Sequence, residues 1–385
     1  MISEKLTINN GKQINWKTTI FIVGYHVFLL LSLPFYFMYA DFHAGTYLAA
    51  FALFWASGLS ITAGYHRCFS HKAYKLHPIV EYVLVFFGTM AVQASVLRWA
   101  YEHRLHHAHV DTDKDPYNIN KGFWYAHILW MFEKLNPVDP KVVPDLVKNK
   151  LLVFQDRYYI VLMILTNAIA FFAVGYAFQD YWGAFFIAVW LRIFCLQHCT
   201  WFINSLAHTW GSKHFSLEHS AVDNYMIALL TFGEGYHNYH HTFANDYRNG
   251  IRWYHFDPSK WLIWSLSKVG LASNLKQTDS LTIKKRMVME HKELLIETLG
   301  NYISDAKQEL EKQVHDLSER ILARISEFVR LREQYQSQKD AGEPSTLNQI
   351  SNRIKEIQAE LQADWNQWKS LSKSILKGKS LAISR

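Results

Sequence analysis

Histidines dominate the segment GEGYHNYHH at residues 233–241, and their spacing is the strongest chemical signal in the sequence. The segment contains a triad of His237, His240 and His241. On a helix, residues at i, i+3 and i+4 share one face, so three imidazoles are expected close together. A second triad with the same spacing consists of His103, His106 and His107. Because neutral imidazole is a common metal ligand, the two triads predict a metal centre.

Smaller sets of polar residues accompany the triads. His66 and His71 follow a long apolar run, and His208 lies four residues after Asn204, on the same face of a helix. All nine histidines are predicted to bind metal, with Asn204 acting through a bound water. Nine imidazoles exceed the needs of one ion, so two metals with open positions for water or oxygen are expected. The other eleven of the 20 histidines are interpreted as packing or surface residues, with His109 and His127 as the first exceptions.

The types of ligand narrow the choice of metal only partly. The histidine sets contain no cysteine, which argues against a structural zinc site, because such sites are usually rich in cysteine and closed at four ligands. Imidazole suits iron, zinc, copper and nickel alike, so the residues themselves leave the metal open.

Four apolar runs position the histidines along the chain. They cover residues 19–40, 47–64, 160–178 and 182–203, close to the ~20 residues that a helix needs to cross a bilayer. Half of all residues are hydrophobic and 16% are aromatic, yet the mean hydropathy is only -0.08 because a charged segment follows the apolar one. The sequence predicts an all-α membrane protein, with a membrane domain at 1–280 and a charged helical extension at 281–385.

Basic residues set the expected orientation of the spans. Lys5, Lys12 and Lys17 precede the first span. The loops at 41–46 and 179–181 contain no lysine or arginine. The positive-inside rule therefore places both termini and every histidine set on the cytoplasmic side.

A further apolar run, at 79–97, is long enough to span but is predicted to lie along the cytoplasmic surface. Crossing would place His66 and His103 on opposite faces of the membrane, where one metal centre cannot collect both. Glu81 and Gln93, within the run, also fit an interfacial helix better than a span.

The extension at 281–385 has the pattern of packed helices. Apolar residues recur every three or four positions from Leu310 to Phe328 and again from Leu347 to Trp368. The segment 342–345 interrupts the pattern, with Ser345 as the expected N-cap of the second helix. A helical hairpin or a short coiled coil is predicted, and a role in oligomerisation or partner binding stays open.

Charge and cysteine content bear on partners and compartment. The net charge of +7 suits anionic lipid or an acidic redox partner, and the basic residues form no stripe of the kind that binds nucleic acid. The three cysteines form no CxxC motif and are interpreted as packing residues in a reducing compartment. The N-terminus lacks the layout of a cleaved signal peptide, so the first span is expected to be retained.

Three motifs resemble the histidine boxes of the integral-membrane fatty-acyl desaturases, and above all the delta-9, stearoyl-CoA type branch. They are HRCFSH at 66–71, HRLHH at 103–107 and HNYHH at 237–241. NSLAH at 204–208 matches the extra ligand motif of that branch, and DPYN at 115–118 and GEG at 233–235 are also typical of it. The resemblance covers roughly residues 19–276 and leaves out the extension.

This resemblance implies two ferrous ions at the cytoplasmic mouth of four transmembrane helices, with O2 as co-substrate. Such a centre inserts a cis double bond at carbon 9 of a saturated acyl chain. The implied substrate contacts are Thr200 and Trp201 at the bend of an acyl tunnel, Phe54 and Gly58 at its closed end, and Gln93 and Trp99 beside the coenzyme A head. Two electrons would come from a separate donor, a b-type cytochrome or a ferredoxin with its reductase, because the extension contains no HPGG haem motif.

Two departures from the family pattern leave the acyl carrier open. An asparagine and an arginine that help hold coenzyme A in animal enzymes are replaced here by Ala94 and Tyr101. An acyl chain on a membrane glycerolipid is therefore an alternative to acyl-CoA.

Other functions compete with desaturation. A membrane di-iron fatty-acid hydroxylase has similar boxes and would form an alcohol instead of an alkene. A histidine-rich metal transporter would place its ligands near the middle of the bilayer, whereas these ligands follow the predicted span ends. A scaffold that acts through the extension would not require nine histidines, and is the last alternative.

Overall fold

The computed structural model describes residues 7–8, 12–300, 307–341 and 344–383, which form two compact units. The membrane unit comprises Met1–Lys213 and Glu218–Gln277, and the tail unit comprises His214–Leu217 and Thr278–Arg385. Lys5 and positions 342–343, both used in the sequence interpretation, lie outside the described residues.

Four helical stretches of the membrane unit are long and apolar enough to cross a membrane, as predicted. They are Trp16–Tyr39, Ala44–Ser70, Tyr159–Phe178 and Tyr181–His208. No more than half of the residues in their most apolar windows are buried inside the protein, as expected for helices whose outer faces contact lipid. The second and fourth stretches end at Ser70 and His208 instead of at residues 64 and 203. His66 and His208 therefore lie on the last turns of these helices rather than beyond them.

The membrane unit is built almost entirely from helices. In chain order they are α1 (Trp16–Tyr39), α2 (Ala44–Leu59), α3 (Pro78–Met90), α4 (Val96–His109), α5 (Phe123–His127), α6 (Lys150–Arg157), α7 (Tyr159–Phe178), α8 (Tyr181–Gly183), α9 (Arg192–Ser205), α10 (Tyr225–Leu230), α11 (His237–Thr242) and α12 (Pro258–Lys268). π-helical segments at Ser60–Ser70 and Ala184–Leu191 continue α2 and join α8 to α9. Short 3-10 turns lie at Ile119–Lys121, Leu129–Phe132, Leu146–Lys148 and Leu206–His208. Two antiparallel pairs join β1 (Thr7–Ile8) to β2 (Lys12–Gln13) and β3 (Lys75–Leu76) to β4 (Ala272–Ser273).

The apolar run at 79–97 is two helices joined by a turn rather than the single helix that was predicted. α3 has 13 residues, which gives a length of about 20 Å, too short to cross a hydrocarbon core of about 30 Å. After Met90, Val92 and Ala94 adopt positive φ values of 59° and 71°, and the chain turns into α4. The side-chain amide of Gln197 in α9 donates to the Val92 carbonyl over 2.7 Å and fixes this turn.

A buried cation ties the end of α3 to the spans. Arg192, 3% exposed in the fourth span, donates to the Met90 carbonyl over 3.3 Å and to Asn167 in α7. A charge inside a span is costly unless hydrogen bonds satisfy it. The contact holds the turn after α3 against α9.

The main core of the membrane unit lies between α4 and the π-helical segment Ser60–Ser70. Tyr65, Leu97 and Leu152 are among its side chains, each 5% exposed or less. The Tyr65 ring packs so closely on Gly88 of α3 that an added Cβ would lie 2.3 Å from it. Because these elements pack without a gap, the histidines that they carry are held at fixed positions relative to one another.

The tail unit contains three helices where the sequence pattern predicted a hairpin of two. They are α13 (Ser280–Gly300), α14 (Lys307–Asp340) and α15 (Pro344–Ile383). All three contribute to one core, in which Leu295, Ile321 and Trp368 are 1% exposed or less. α15 begins at Pro344, so Ser345 lies in its first turn and is not an N-cap. The helical extension is confirmed: α14 and α15 pack together as the predicted hairpin, and α13 adds a third helix among the described residues.

Candidate active site

Nine histidine side chains converge into two clusters in the membrane unit. The first cluster consists of His66, His71, His103, His107 and His240, and the second of His106, His208, His237 and His241. Within each cluster the candidate ligand atoms lie within 4.8 Å of one another. These are the nine histidines that the sequence singled out, divided between two adjacent sites.

The helical spacing of each triad decides which cluster each ring joins. On α4, the outer two histidines of the triad join the first cluster and the middle one joins the second. On α11 the division is reversed, because the outer two join the second cluster and the middle one joins the first. Each triad therefore serves both clusters, which the expectation of one shared face did not anticipate.

One carboxylate orients a histidine in each cluster. Glu234 Oε2 lies 2.9 Å from Nδ1 of His66, and Asp115 Oδ1 lies 2.9 Å from Nδ1 of His106. A carboxylate that accepts the Nδ1 proton leaves the lone pair on Nε2, the nitrogen that faces the cluster. The sequence interpretation gave these acids no role. The only signal for them was their place in the DPYN and GEG motifs.

The Nε2 atoms of the clustered rings face one another. In the first cluster, His66 Nε2 lies 2.9 Å from His240 Nε2, and His71 Nε2 lies 2.7 Å from His103 Nε2. In the second cluster the corresponding distances are 3.1 and 3.2 Å. The buried Nε2 of His208 has no hydrogen-bond partner within the described part of the chain. Converging lone pairs are the donor set that a metal cation satisfies, so each cluster fits one ion.

A buried network of charges supports the first cluster from behind. Arg67, which is 1% exposed, contacts Glu234 and Asp257, each over 2.9 Å. Asn249 donates to the other oxygen of Glu234 over 2.6 Å. Burial raises the pKa of Glu234, but Arg67 and His66 more than offset this and hold the pKa below its ordinary value. The carboxylate is therefore ionised and accepts the Nδ1 proton of His66.

Burial favours the neutral form of six clustered imidazoles. Burial lowers the pKa well below its ordinary value for His71, His103, His107, His237, His240 and His241, and the repulsion that a protonated ring would meet from its neighbours lowers it further. A neutral ring can donate its lone pair to a metal, whereas a protonated ring cannot.

Metal-free protein should lose thermal stability as the pH falls below about 6.5, the ordinary histidine pKa. Below that pH the unfolded chain binds protons that the folded chain excludes, so the free energy of unfolding decreases as the pH falls. The measurement is the melting temperature of chelator-treated protein in detergent between pH 8 and pH 5. A melting temperature that stays constant or rises toward pH 5 would contradict buried neutral histidines.

A cavity of about 520 Å³ lies beside both clusters. Its wall includes four clustered histidines, namely His66, His103, His106 and His237. Of the residues expected from the resemblance, it is also lined by Gln93, Trp99, Thr200, Trp201 and Asn204. Gln93 Nε2 donates to Thr200 Oγ1 over 2.9 Å, which joins the turn between α3 and α4 to α9. The volume lies in the range of small-molecule sites.

Phe54 and Gly58 were expected at the closed end of the acyl tunnel. Neither is among the described residues that line the cavity. Both pack instead against Phe232: the rings of Phe54 and Phe232 have centroids 5.2 Å apart, and a Cβ added at Gly58 would lie 2.2 Å from the Phe232 ring. The next turn along, at Ile61 and Thr62, forms part of the cavity wall.

Three histidines outside the clusters surround Trp201 on the cavity wall. His26 Nε2 lies 3.0 Å from His198 Nε2, and His198 Nδ1 lies 3.1 Å from His127 Nε2. His127 Nδ1 continues the chain to Ser205 Oγ at 3.0 Å. The three rings have centroids 4.9–6.1 Å from that of Trp201. Residues interpreted as packing histidines thus fix the orientation of a cavity-lining indole from α1, α5 and α9.

Comparison with known proteins gives a consistent family signal. A family model described as fatty acid desaturase matches residues 42–268. The chain is 38% identical over 293 residues to acyl-CoA desaturase 1 of Saccharomyces cerevisiae, an alignment that covers 74% of this chain and 56% of the relative. The chain therefore spans little more than half the length of that relative.

Two further relatives are covered over more of their own length. The sn-1 stearoyl-lipid 9-desaturase of Anabaena variabilis is 35% identical over 270 residues, which is 69% of this chain and 96% of the relative. The stearoyl-CoA desaturase of Sus scrofa is 35% identical over 252 residues, which is 63% of this chain and 67% of the relative.

Proposed function

Because the chain belongs to the fatty acid desaturase family, we propose that it is an O2-dependent delta-9 fatty-acyl desaturase. It would insert a cis double bond into a saturated acyl chain, carried by coenzyme A. The observation that carries this proposal is the cavity that meets both histidine clusters. Removal of hydrogen from an unactivated methylene needs a redox metal beside a space from which water is excluded, and this cavity is lined by histidines that would hold such a metal.

Iron is the proposed metal, with one ion held by each cluster. When bound, the two ions would supply the redox chemistry by which O2, two electrons and two protons take two hydrogens from the chain, giving an alkene and two waters. The residues of the chain perform the supporting tasks. Glu234 and Asp115 hold the Nδ1 protons of His66 and His106, which keeps the Nε2 lone pairs directed inward. Asn204 is proposed to hold a water beside the second cluster.

The cavity wall is proposed to orient the acyl chain. Trp201, Thr200 and Trp99 all line it, and Trp99 lies next to the first cluster, where the Trp99 and His103 rings have centroids 4.9 Å apart. Large side chains that pack on both sides of an alkyl chain restrict which methylene reaches the clusters.

Acyl-CoA is proposed as the carrier because the relatives from Saccharomyces and Sus are named for acyl-CoA substrates. A glycerolipid carrier is the alternative, and the Anabaena relative favours it, since its name specifies a stearoyl-lipid. Incubation of membranes with labelled stearoyl-CoA separates the two. Label that appears first in oleoyl-CoA supports the coenzyme A carrier, and label that is desaturated only after transfer to glycerolipid supports the alternative.

Phe54→Ala should extend the range of chain lengths that the protein accepts. The shorter side chain leaves space beside Phe232, which packs in the same core cluster as the cavity-lining Ile61, so that this part of the wall can give way to a longer chain. The measurement is the ratio of C16 to C18 monoenes, compared with Phe51→Ala, whose side chain on the same helix is 62% exposed. An unchanged product ratio in Phe54→Ala would show that Phe54 does not influence the accepted chain length.

We further propose that residues 1–280 act as the desaturase domain, with both termini and the histidines in the cytoplasm, and that 281–385 is an extension with a separate task, such as oligomerisation. The absence of basic residues in the loops at 41–46 and 179–181 supports this orientation. Electrons are proposed to come from a separate b-type cytochrome or a ferredoxin with its reductase. Glycosylation acceptors inserted in the loops at 41–46 and 179–181 should be modified, and acceptors at either terminus should not.

The purified protein tests the reaction itself. Protein loaded with ferrous iron, supplied with O2, stearoyl-CoA and a reducing system, should bind about two irons per chain and form an alkene. Formation of a hydroxylated chain without an alkene would instead support the hydroxylase alternative. Zinc at the same sites with no redox product would contradict both.

A further inference from the structure

The tail unit contains a second cavity, remote in sequence from the histidine boxes. It has a volume of about 510 Å³, and the described residues that line it belong to α13 and α15. Its walls are mainly apolar, with Met287 from α13 and Trp365 and Leu376 from α15. A volume of this size falls in the range of cavities that hold small molecules.

Two buried polar groups beneath this cavity have no hydrogen-bond partner within the described part of the chain. Trp368 is 1% exposed and Ser372 is 8% exposed, and both side chains line the cavity. Within the described residues, neither the Trp368 Nε1–H nor the Ser372 hydroxyl has a hydrogen-bond partner. A buried donor without an acceptor costs free energy, so the core beneath the cavity has an unmet need for an acceptor.

The rim of the cavity is cationic. Lys369, Lys373 and Lys377 recur every four residues of α15 and so lie on one face of that helix. The described residues that line the cavity include no carboxylate. Burial and the charge of Lys369 lower the pKa of the nearby Lys284, as expected where positive charge is concentrated. The potential at the rim therefore favours an anion.

We propose that this cavity binds the anion of a single-chain, long-chain fatty acid. The charge of its carboxylate matches the adjacent lysines, and its oxygens are acceptors of the kind that the unpartnered donors beneath the cavity lack. The alkyl chain would cover the apolar walls at Met287, Trp365 and Leu376. The site lies wholly within the tail unit, so it does not depend on the proposed desaturation.

Photolabelling of the full-length protein tests this site. The probe is a palmitic acid analogue with a mid-chain diazirine, added to protein in nanodiscs of neutral phosphatidylcholine, and labelled peptides are identified by mass spectrometry. Label is expected on the peptides around Met287 and around residues 365–377. It should saturate with probe concentration and be displaced by palmitate at least about tenfold better than by hexadecanol, which has the same chain but no charge.

A double variant and a matched control distinguish the loss of fatty-acid binding from the loss of folding. Lys369→Glu with Lys373→Glu should reduce labelling of α15 by about tenfold or more, because the carboxylate then meets like charges. Both side chains are exposed, so the helical content should stay that of the unaltered protein. Lys355→Glu, an equally exposed change on the same helix, is the matched control and should leave labelling unchanged.

Several outcomes would overturn the proposal. They are labelling of α15 that does not saturate, equal labelling in the double variant, and displacement by hexadecanol as effective as by palmitate. Displacement by phosphatidylglycerol vesicles but not by palmitate would show that the lysines of α15 bind an anionic membrane surface instead of a fatty acid. His240→Ala should label normally in the tail unit, so failure of the proposed desaturation and failure of this site are distinguishable.

Discussion

Replacement of His240 by alanine should reduce desaturation below detection, more than the roughly 10- to 100-fold loss typical when only a partner of a metal ligand is removed. Its Nε2 lies 2.9 Å from that of His66 and 3.0 Å from that of His107, so its loss removes the histidine that joins two others in the first cluster. The ring is 1% exposed, so its removal leaves a buried gap among the proposed ligands.

The readout for His240→Ala is product formation together with iron content. Iron should fall from about two to about one per chain, because the second cluster keeps all four of its histidines. His43→Ala is the control, since that exposed histidine precedes α2 without a capping hydrogen bond. Full activity with two bound irons in His240→Ala would exclude this histidine from the metal centre.

Arg67→Leu should destabilise the membrane unit by about 3–5 kcal/mol, the cost of removing one partner from a buried group of charges. Glu234 and Asp257 are 1% and 0% exposed, and the substitution leaves both carboxylates without their cation. Because Glu234 also orients His66, iron affinity should fall with stability.

The measurement for Arg67→Leu is the melting temperature of the metal-free protein in detergent, with iron binding as the second readout. Arg353→Leu provides a contrast, because that arginine pairs with exposed carboxylates of the tail unit and its loss should change little. A melting temperature of Arg67→Leu equal to that of the unaltered protein would show that the network does not stabilise the site.

The parts of the fold that could be predicted follow from local pattern. An apolar run of about 20 residues can satisfy its backbone in lipid only as a helix, so the four spans were readable from the sequence. The two triads were readable for a similar reason, because the spacing of the histidines fixes their side of a helix. Both signals depend on residues that are near one another in the chain.

What could not be predicted depends on distant residues. The chain turns after Met90 because Val92 and Ala94 adopt left-handed conformations. Turns are recognised in a sequence mainly from glycine and proline, and neither residue type occupies these two positions. The pairing of Arg67 with Glu234 joins residues 167 positions apart, and nothing periodic links them. The partition of the histidines into two clusters likewise depends on how α4 and α11 meet, which is a tertiary contact.

The tail unit also contains a helix that the local sequence pattern does not predict. The apolar pattern from Leu310 onward predicts α14 and α15 but not α13. In α13 the exposed apolar residues Met289 and Ile296 lie next to buried Val288 and Leu295, so apolar residues occupy more than one face and the periodic signal is weaker. Packing of the buried residues against the other two helices stabilises α13.

The most direct test of the central claim is a fatty-acid profile, with double-bond positions determined by mass spectrometry. The host is a cell that lacks its own desaturase, with a compatible electron donor supplied, grown with and without this protein. New cis monoenes with the double bond at carbon 9 are expected with the unaltered chain, and none are expected with His240→Ala. Saturated chains only, or hydroxylated chains in place of monoenes, would contradict the claim.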